Sequence, residues 1–355
     1  MIFNFFKLKI KYLLNLDYFR NKITKALYMN QSRRNFLKST SLTAISTPLL
    51  TWSLSSCNPS GSETKKTQIV DDLSGKAIEN FGLQLWTVKE EMSKDPKATL
   101  KAIAEAGYNQ IESFTGDKGV FWGMTPKDFN TFIGDLGMKM ISSHINSDFT
   151  VKKETENDFK KLVDDAAIVG VKYLINPFPG ENIKTSDQWN KITEGLNRQG
   201  EITKASGLKM AYHNHHIEFL PTQDGKIPEE IMLKGTNADL VDFELDLYWV
   251  VKAGQDPEKW LNDYKGRFKL CHIKDLYPKE KVKEIIIKEG PEKGFWPIGA
   301  SCVVGTGSID FPKILKTAKQ NGMEYFIVEQ ERFDNSTQLN DIKKDGDYMK
   351  AFKYA

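Results

Sequence analysis

The chain has 355 residues, 40% of them apolar and 27% charged, which is ordinary for a globular protein and enough for one large domain or two smaller ones. Its formal net charge of +3 includes a basic N-terminus, so the remainder is close to neutral and lacks the positive excess that nucleic-acid binding needs. Three cysteines, Cys57, Cys271 and Cys302, with no CxxC pair, exclude a dense disulfide framework.

Residues 1–28 are basic and apolar without a clear pattern, and Met29 is the more natural start. Ser32-Arg33-Arg34-Asn35-Phe36-Leu37-Lys38 reads as a twin-arginine motif. The mildly apolar stretch Ser41 to Leu54 follows, too short and too polar to span a membrane as a helix. It ends in Leu54-Ser55-Ser56-Cys57, which resembles a bacterial lipobox, a motif whose Cys is lipidated and becomes the new N-terminus. The order basic, apolar, small, Cys favours an export signal over a tail of no meaning. Residues 1–57 are therefore expected to direct export by the twin-arginine route to the periplasm or outer membrane. The only membrane contact expected is a lipid anchor at Cys57. Residues 58–78 are expected to form a flexible linker, rich in Pro, Ser, Gly and Lys over 58–67, and residues 79–355 a single folded domain.

From Ile78 onward short apolar runs alternate with amphipathic segments. Strands are predicted near 81–86, 109–113, 139–143, 172–176, 208–213, 241–246, 268–273 and 325–329. Helices are predicted near 95–106, 126–136, 155–169, 186–206, 228–235, 256–264, 310–321 and 338–353. Asp95-Pro96 and Thr125-Pro126 place Pro in a first helical turn. Gly107, Gly137, Gly170, Gly207 and Gly322 each stand just before a strand, as helix-ending glycines do. Strands each followed by a helix over this length fit an α/β fold, a (β/α)₈ TIM barrel. The rival, a doubly wound open sheet, usually carries a Gly-rich loop after its first strand, and Gln84-Leu85-Trp86-Thr87-Val88 is not one. Residues 276–309 read as a long loop over the active face.

Active residues of such barrels sit at the C-terminal strand ends. Those ends hold Gln84 and Trp86, Glu112, His144, Asn176, His213 and His215, Glu244 and Asp246, His272, Lys274 and Asp275, and Glu329 and Glu331. In Met210-Ala-Tyr-His-Asn-His-His-Ile-Glu218 alternation points His213 and His215 to one side. Two imidazoles there suit a metal or proton-transfer site; the plainer alternative is one ligand-like His and one hydrogen-bonded surface His. His213, Asp246, His272 and Glu329, from the last four strands, form a set suited to one divalent ion, Mn²⁺, Zn²⁺, Co²⁺ or Mg²⁺. Singly, each has a structural alternative: a helix cap for Asp246, a salt bridge to Lys274 or Arg332 for Glu329, a satisfied core histidine for His272.

Gly82-Leu83-Gln84-Leu85-Trp86-Thr87, Ala211-Tyr212-His213-Asn214-His215, Phe243-Glu244-Leu245-Asp246-Leu247-Tyr248-Trp249, Cys271-His272-Ile273-Lys274-Asp275, Val304-Gly305-Thr306-Gly307-Ser308-Ile309-Asp310 and Val328-Glu329-Gln330 occur in order. With them the chain from about Asn80 resembles the sugar phosphate isomerase/epimerase family, the xylose-isomerase-like TIM barrels, and their exported subgroup. The resemblance implies a divalent metal held by an acidic residue on strand five, an Asp on strand six, a His on strand seven and a Glu on strand eight. Asp246, His272 and Glu329 match; His213 stands where the acid is expected, which puts symmetric two-Glu epimerase chemistry in doubt.

The resemblance further implies a sugar or sugar derivative as substrate and proton removal through an enediolate, in an isomerase, an epimerase, or a lyase or hydratase acting on 3-keto-glycosides and keto-inositols. Glu329 or His215 is then the expected base, Lys274 the group that stabilises oxyanion charge, and Trp86, Glu112 and His144 the substrate contacts. Trp86 is equally well read as a core aromatic, and Lys274 as an ion-pair partner of Asp275 or Glu244. Glu218 is a candidate partner behind the ligands. Two other functions fit less of the pattern: a non-catalytic surface lipoprotein that binds carbohydrate through its metal, and a nuclease related to endonuclease IV, which needs more His ligands than this chain has.

Overall fold

The structure, a computed structural model, describes residues 72–180, 182–290 and 299–355. The twin-arginine and lipobox readings fall outside those residues. Among the described residues no helix is long and apolar enough to cross a membrane.

The chain runs β1 (Gly82–Gln84), α1 (Lys89–Lys94), α2 (Pro96–Glu105), β2 (Gln110–Phe114), α3 (Pro126–Asp135), β3 (Lys139–His144), α4 (Glu156–Val169), β4 (Tyr173–Asn176), α5 (Ser186–Ala205) and β5 (Lys209–His213). It continues with α6 (Pro228–Gly235), β6 (Val241–Asp246), α7 (Leu247–Lys252), α8 (Pro257–Asp263), β7 (Phe268–Ile273), β8 (Asp275–Leu276), α9 (Lys279–Glu289), β9 (Ser301–Cys302), α10 (Phe311–Gln320), β10 (Tyr325–Val328) and α11 (Gln338–Ala351). Strands β1 to β7 and β10 close into a parallel barrel, with β10 between β7 and β1. The predicted (β/α)₈ TIM barrel is therefore the fold.

Local chemistry sets the element ends. The Asp95 side chain accepts the Ala98 N–H at 3.0 Å and Thr125 that of Asp128 at 3.1 Å, each just before a helix-opening Pro. At the end of α4, Gly170 takes φ 82°, a left-handed conformation that a side chain would strain. The segment 276–309 departs from the loop expectation. It contains α9, and β8 pairs antiparallel with β9 as a small ribbon beside the barrel.

Strand alternation sorts residues into two environments. Met210, Tyr212, Phe243, Leu245, Cys271, Ile273, Phe326 and Val328 face outward and join the large core beneath the helices. The barrel interior has only a small apolar layer, built from Tyr173, Ile175, Ala211, Leu270 and Ile327. Above it, towards the C-terminal ends, the inward positions Glu112, His213, Glu244, Asp246 and His272 are all buried and polar. Cys271 is a free, buried thiol on the outer side, and Cys302 is free and buried as well.

The chain enters β1 from the N-terminal end of the barrel. Gly75 N–H donates to Tyr354 O at 2.9 Å and Tyr354 N–H to Lys76 O at 3.0 Å, so the chain before β1 meets the C-terminus, whose Ala355 N–H donates to Pro312 O at 3.3 Å in the first turn of α10. Ile78 is buried, and the chain is thus tied down before residue 79.

Candidate active site

A cavity of about 490 Å³ opens at the C-terminal end of the barrel. Trp86, His144, His213, His215, Lys274 and Glu329 line it, together with Phe114, Phe178, Trp249 and Glu331. His213 ends β5 and His215 lies beyond it, yet both reach this cavity, their ring centroids 5.0 Å apart.

Beneath the cavity carboxylates and imidazoles interlock. His272 Nε2 lies 2.7 Å from Glu112 Oε1 and 3.3 Å from Glu244 Oε2. His144 Nε2 lies 3.0 Å from Glu112 Oε1 and 2.9 Å from Glu244 Oε2. His213 Nδ1 lies 3.0 Å from Glu244 Oε2. Each of these rings thus has one nitrogen against a carboxylate, and in His213 and His272 the other nitrogen faces Asp246 Oδ2.

The upper atoms converge. His272 Nδ1 lies 3.3 Å from Glu329 Oε2 and 3.7 Å from Asp246 Oδ2. Asp246 Oδ2 stands 4.0 Å from His213 Nε2. Asp246 Oδ2 and His272 Nδ1 are buried atoms without a hydrogen-bond partner. Such atoms are expensive to bury unless something fills the space between them. Ligand atoms about 2.0–2.2 Å from one ion stand roughly 3–3.5 Å from each other, close to the spacing of this triad. Asp246, His272 and Glu329 thus present a place that fits a divalent ion, with His213 at its edge. His144, His213, Glu244 and His272 form a second, deeper convergence.

The charge balance points the same way. Glu112, Glu244, Asp246 and Glu329 are all buried at this end of the barrel, and Lys274 pairs with Glu329 and Glu331. Lys274 Nζ donates to Glu329 Oε2 at 2.9 Å and to Glu331. Burial works against its ammonium, but the charges of Glu329, Glu331 and Asp246 outweigh that and raise its pKa. Burial above all lowers the His213 pKa, which favours the neutral ring, the form a metal takes. Burial first and the Lys274 charge second bring His215 down to about 3.

The model of the xylose isomerase-like TIM barrel family matches residues 100–352. The chain belongs to that family. An inosose dehydratase of Clostridium perfringens is 31% identical over 219 residues, 55% of this chain and 70% of that protein. An inosose dehydratase of Clostridium beijerinckii is 27% identical over 253 residues, 64% of this chain and 80% of its own. A sugar phosphate isomerase/epimerase of Parabacteroides distasonis, known from a crystal structure, is 32% identical with a TM-score of 0.63, covering 76% of this chain and 93% of that one.

Within this family frame several expected roles change. Glu112, expected among the substrate contacts, does not line the cavity. It is completely buried, and it accepts from Gln84 Nε2 at 2.7 Å and Ser142 Oγ at 2.5 Å besides bracing His272 and His144. Its strand carries it one layer below the cavity floor. Lys274 pairs with Glu329 and Glu331 rather than Asp275 or Glu244. Asp246 Oδ1 caps α7 by accepting the Trp249 N–H at 3.0 Å, while its buried Oδ2 makes no hydrogen bond. Glu218 accepts from Tyr212 Oη at 2.7 Å and from His215 N–H at 2.8 Å, which fixes the loop that carries His215. Glu244 and Glu331 stand among the strand-end residues in the sequence but without a role there; Glu244 shares strand parity with Asp246 one layer deeper, and Glu331 lines the cavity. Phe178 and Trp249 lie beyond their strands, where no periodicity marks them.

Proposed function

We propose that this chain moves a proton next to the carbonyl of a sugar derivative, at a site where Asp246, His272, Glu329 and His213 hold one divalent ion. The chain is an enzyme of the sugar isomerase/epimerase-like kind, and dehydratase chemistry is within its reach. The observation that carries this reading is the convergence of Asp246 Oδ2 and His272 Nδ1, buried and unpartnered, with Glu329 Oε2 on a cavity floor. The mixed nitrogen and oxygen donors suit Mn²⁺, Zn²⁺, Co²⁺ or Mg²⁺. Such an ion supplies Lewis acidity towards a substrate carbonyl and its neighbouring hydroxyl.

The chain's own groups do the rest. His215 and Glu329 both face the cavity and are the candidate bases for the proton next to the carbonyl. Removing that proton leaves an enediolate, and the Lys274 ammonium on the same floor balances its charge. His144 and Trp86 contact the substrate from the cavity wall. Returning the proton to a neighbouring carbon or to the opposite face gives isomerisation or epimerisation. Expelling a protonated hydroxyl or glycosyl oxygen from the next carbon gives dehydration or glycoside lysis. With His213 in place of an acid, the two faces of the sugar meet unlike groups, and this asymmetry favours elimination, as on a 3-keto-glycoside.

The test is solvent-deuterium uptake followed by NMR, over a panel of keto sugars and 3-keto-glycosides with the ion-loaded protein. Uptake together with eno-sugar formation from a 3-keto-glycoside is the expected result. Carbohydrate that binds yet is recovered unchanged and free of deuterium leaves a non-catalytic binding lipoprotein instead. The proposal includes export and a lipid anchor, supported by the order of motifs in residues 29–57. Radiolabelled palmitate should enter the wild-type chain and not Cys57→Ala; equal labelling of both removes the anchor.

A further inference from the structure

TIM barrels that act on phosphorylated sugars commonly bind phosphate through backbone N–H groups in the loops after strands seven and eight and at a helix N-terminus there. In this chain those donors are already engaged internally. After β7, the Asp275 carboxylate accepts from Gly305 N–H and Gly307 N–H at 2.9 Å each, from Leu276 N–H at 2.8 Å and from Ile309 N–H at 3.2 Å. A Cβ on Gly307 would stand 2.2 Å from Asp275 Oδ1, so the loop is wound tightly round this one anion. After β10, Gln330 N–H donates to Thr87 Oγ1 at 3.0 Å, and Glu331 and Arg332 N–H both donate to Ser301 Oγ at 3.2 Å. The helices that follow are capped by their own side chains, α10 by Asp310 and α11 by Thr337.

The side chains repeat the pattern. Among the described residues that line the cavity, Lys274 is the one lysine or arginine, and it is shared between Glu329 and Glu331. Arg332, next along the chain, pairs with Glu289 and Asp334. A phosphate dianion in this cavity would face more carboxylate than ammonium.

Aromatic surface takes the place of cations on two sides. Trp86 and Phe114, from β1 and β2, meet edge to face at 5.0 Å between ring centroids. Phe178 and Trp249 each lie 5.3 Å from the His215 ring, beyond β4, β5 and β6. The barrel order sets these two groups on opposite sides of the mouth. Trp86 is 38% exposed, unusual for an indole, and Glu331 accepts its Nε1–H at 3.2 Å. Lys89 Nζ, outside the cavity lining, lies 3.9 Å from the Trp86 ring centroid, and the indole surface left exposed suits stacking on sugar rings and aryl groups.

We propose that the substrate is a neutral, phosphate-free glycoside, with its sugar ring on the histidine and carboxylate floor and its second group against the Trp86–Phe114 wall. The inference rests on the sugar-derivative reading above and narrows it. Isothermal titration of the full, Mn²⁺-loaded chain with four probes tests it: phenyl glucoside, methyl glucoside, fructose and fructose 6-phosphate. Phenyl glucoside should bind about tenfold more tightly than methyl glucoside. Fructose 6-phosphate should bind no more tightly than fructose. Trp86→Ala should erase the phenyl advantage, and Trp86→Phe should retain most of it. Tighter binding of fructose 6-phosphate than of fructose overturns the proposal. Equal binding of the two glucosides, or no heat with any probe, overturns it as well. The catalytic reading fails separately: the binding order with no deuterium uptake keeps this inference and removes that one, and uptake restricted to sugar phosphates does the reverse.

Discussion

In strands β1 to β4 the polar side chains at the C-terminal ends are bonded to one another or to their own loops. Gln84 donates to Glu112, Ser142 donates to Glu112, and Asn176 donates to Thr150 Oγ1 at 2.6 Å while accepting the Phe178 N–H. In β5, β6, β7 and just past β10 the equivalent side chains are as deeply buried, yet Asp246 Oδ2 and His272 Nδ1 lack partners. Burial is the same in both halves, and hydrogen-bond satisfaction separates them. A buried polar side chain with every atom engaged is a brace, whereas one with an atom left over and aimed at a cavity is equipped to hold something. Glu112 links the halves, for it belongs to the braced strands and steadies His272 and His144.

The largest expected effect falls on the unsatisfied half. His272→Ala and Glu329→Ala should each reduce affinity for Mn²⁺ or Zn²⁺ by more than about 100-fold, the upper range for residues that only orient a ligand. Metal analysis of the purified variants checks this, and an unchanged ion content would erase the contrast between the halves. Next comes Glu244→Gln, which keeps the shape but weakens the anion behind the His213 and His144 rings. Ion affinity should fall about 10–100-fold with circular dichroism unchanged. Equal affinity in parent and variant would reduce Glu244 to packing.

The braced half should respond in stability instead. Ser142→Ala and Gln84→Ala strip a donor from buried Glu112 and should lower unfolding free energy by about 1–3 kcal/mol, measured in urea, with ion affinity near the parent value. A large loss of ion binding without loss of stability would show that the braces belong to the site.

The smallest effect sharpens the comparison from outside both halves. Asp345, on α11, accepts the Val304 N–H at 2.8 Å, and burial, with the charges of Asp341 and Asp275, pushes its carboxyl up to about 8. The folded state then holds the proton more tightly than the unfolded chain, so this group's contribution falls as pH rises from about 4 to about 8. Asp345→Asn should flatten that slope and leave the variant relatively more stable at pH 8 than at pH 4. Thermal melts across that range decide it, and parallel parent and variant curves would reject it.

The barrel was legible because its punctuation is chemical. Gly107, Gly137, Gly170, Gly207 and Gly322 all take positive φ, and each falls between a helix and the next strand. Helix α7 was not legible, because Leu247 to Val250 are apolar and buried all round and show no amphipathic period. Helix α9 was hidden for the opposite reason: its N-cap Pro278 makes no side-chain cap bond and its charges surround a single buried residue, Ile285.

For the site, residue type at a strand end located His144, His213, His215 and Lys274 on the cavity, since imidazoles and ammonium groups are rare in apolar strands. Depth was the missing coordinate. Alternation tells which way Glu112 and Glu244 point but not which layer they occupy, and layer decides between touching substrate and bracing a ring. Trp249 sits where it does because Asp246 caps its helix, a consequence that no motif spacing encodes.

The meeting of residues 72–76 with the C-terminal Tyr354 has a practical side. Ser74 Oγ also donates to Ala355 O at 2.9 Å, so the two ends of the described fold are neighbours. A short peptide from Ala355 to residue 72 would bridge a gap that the fold already closes, which is what a circular permutation requires.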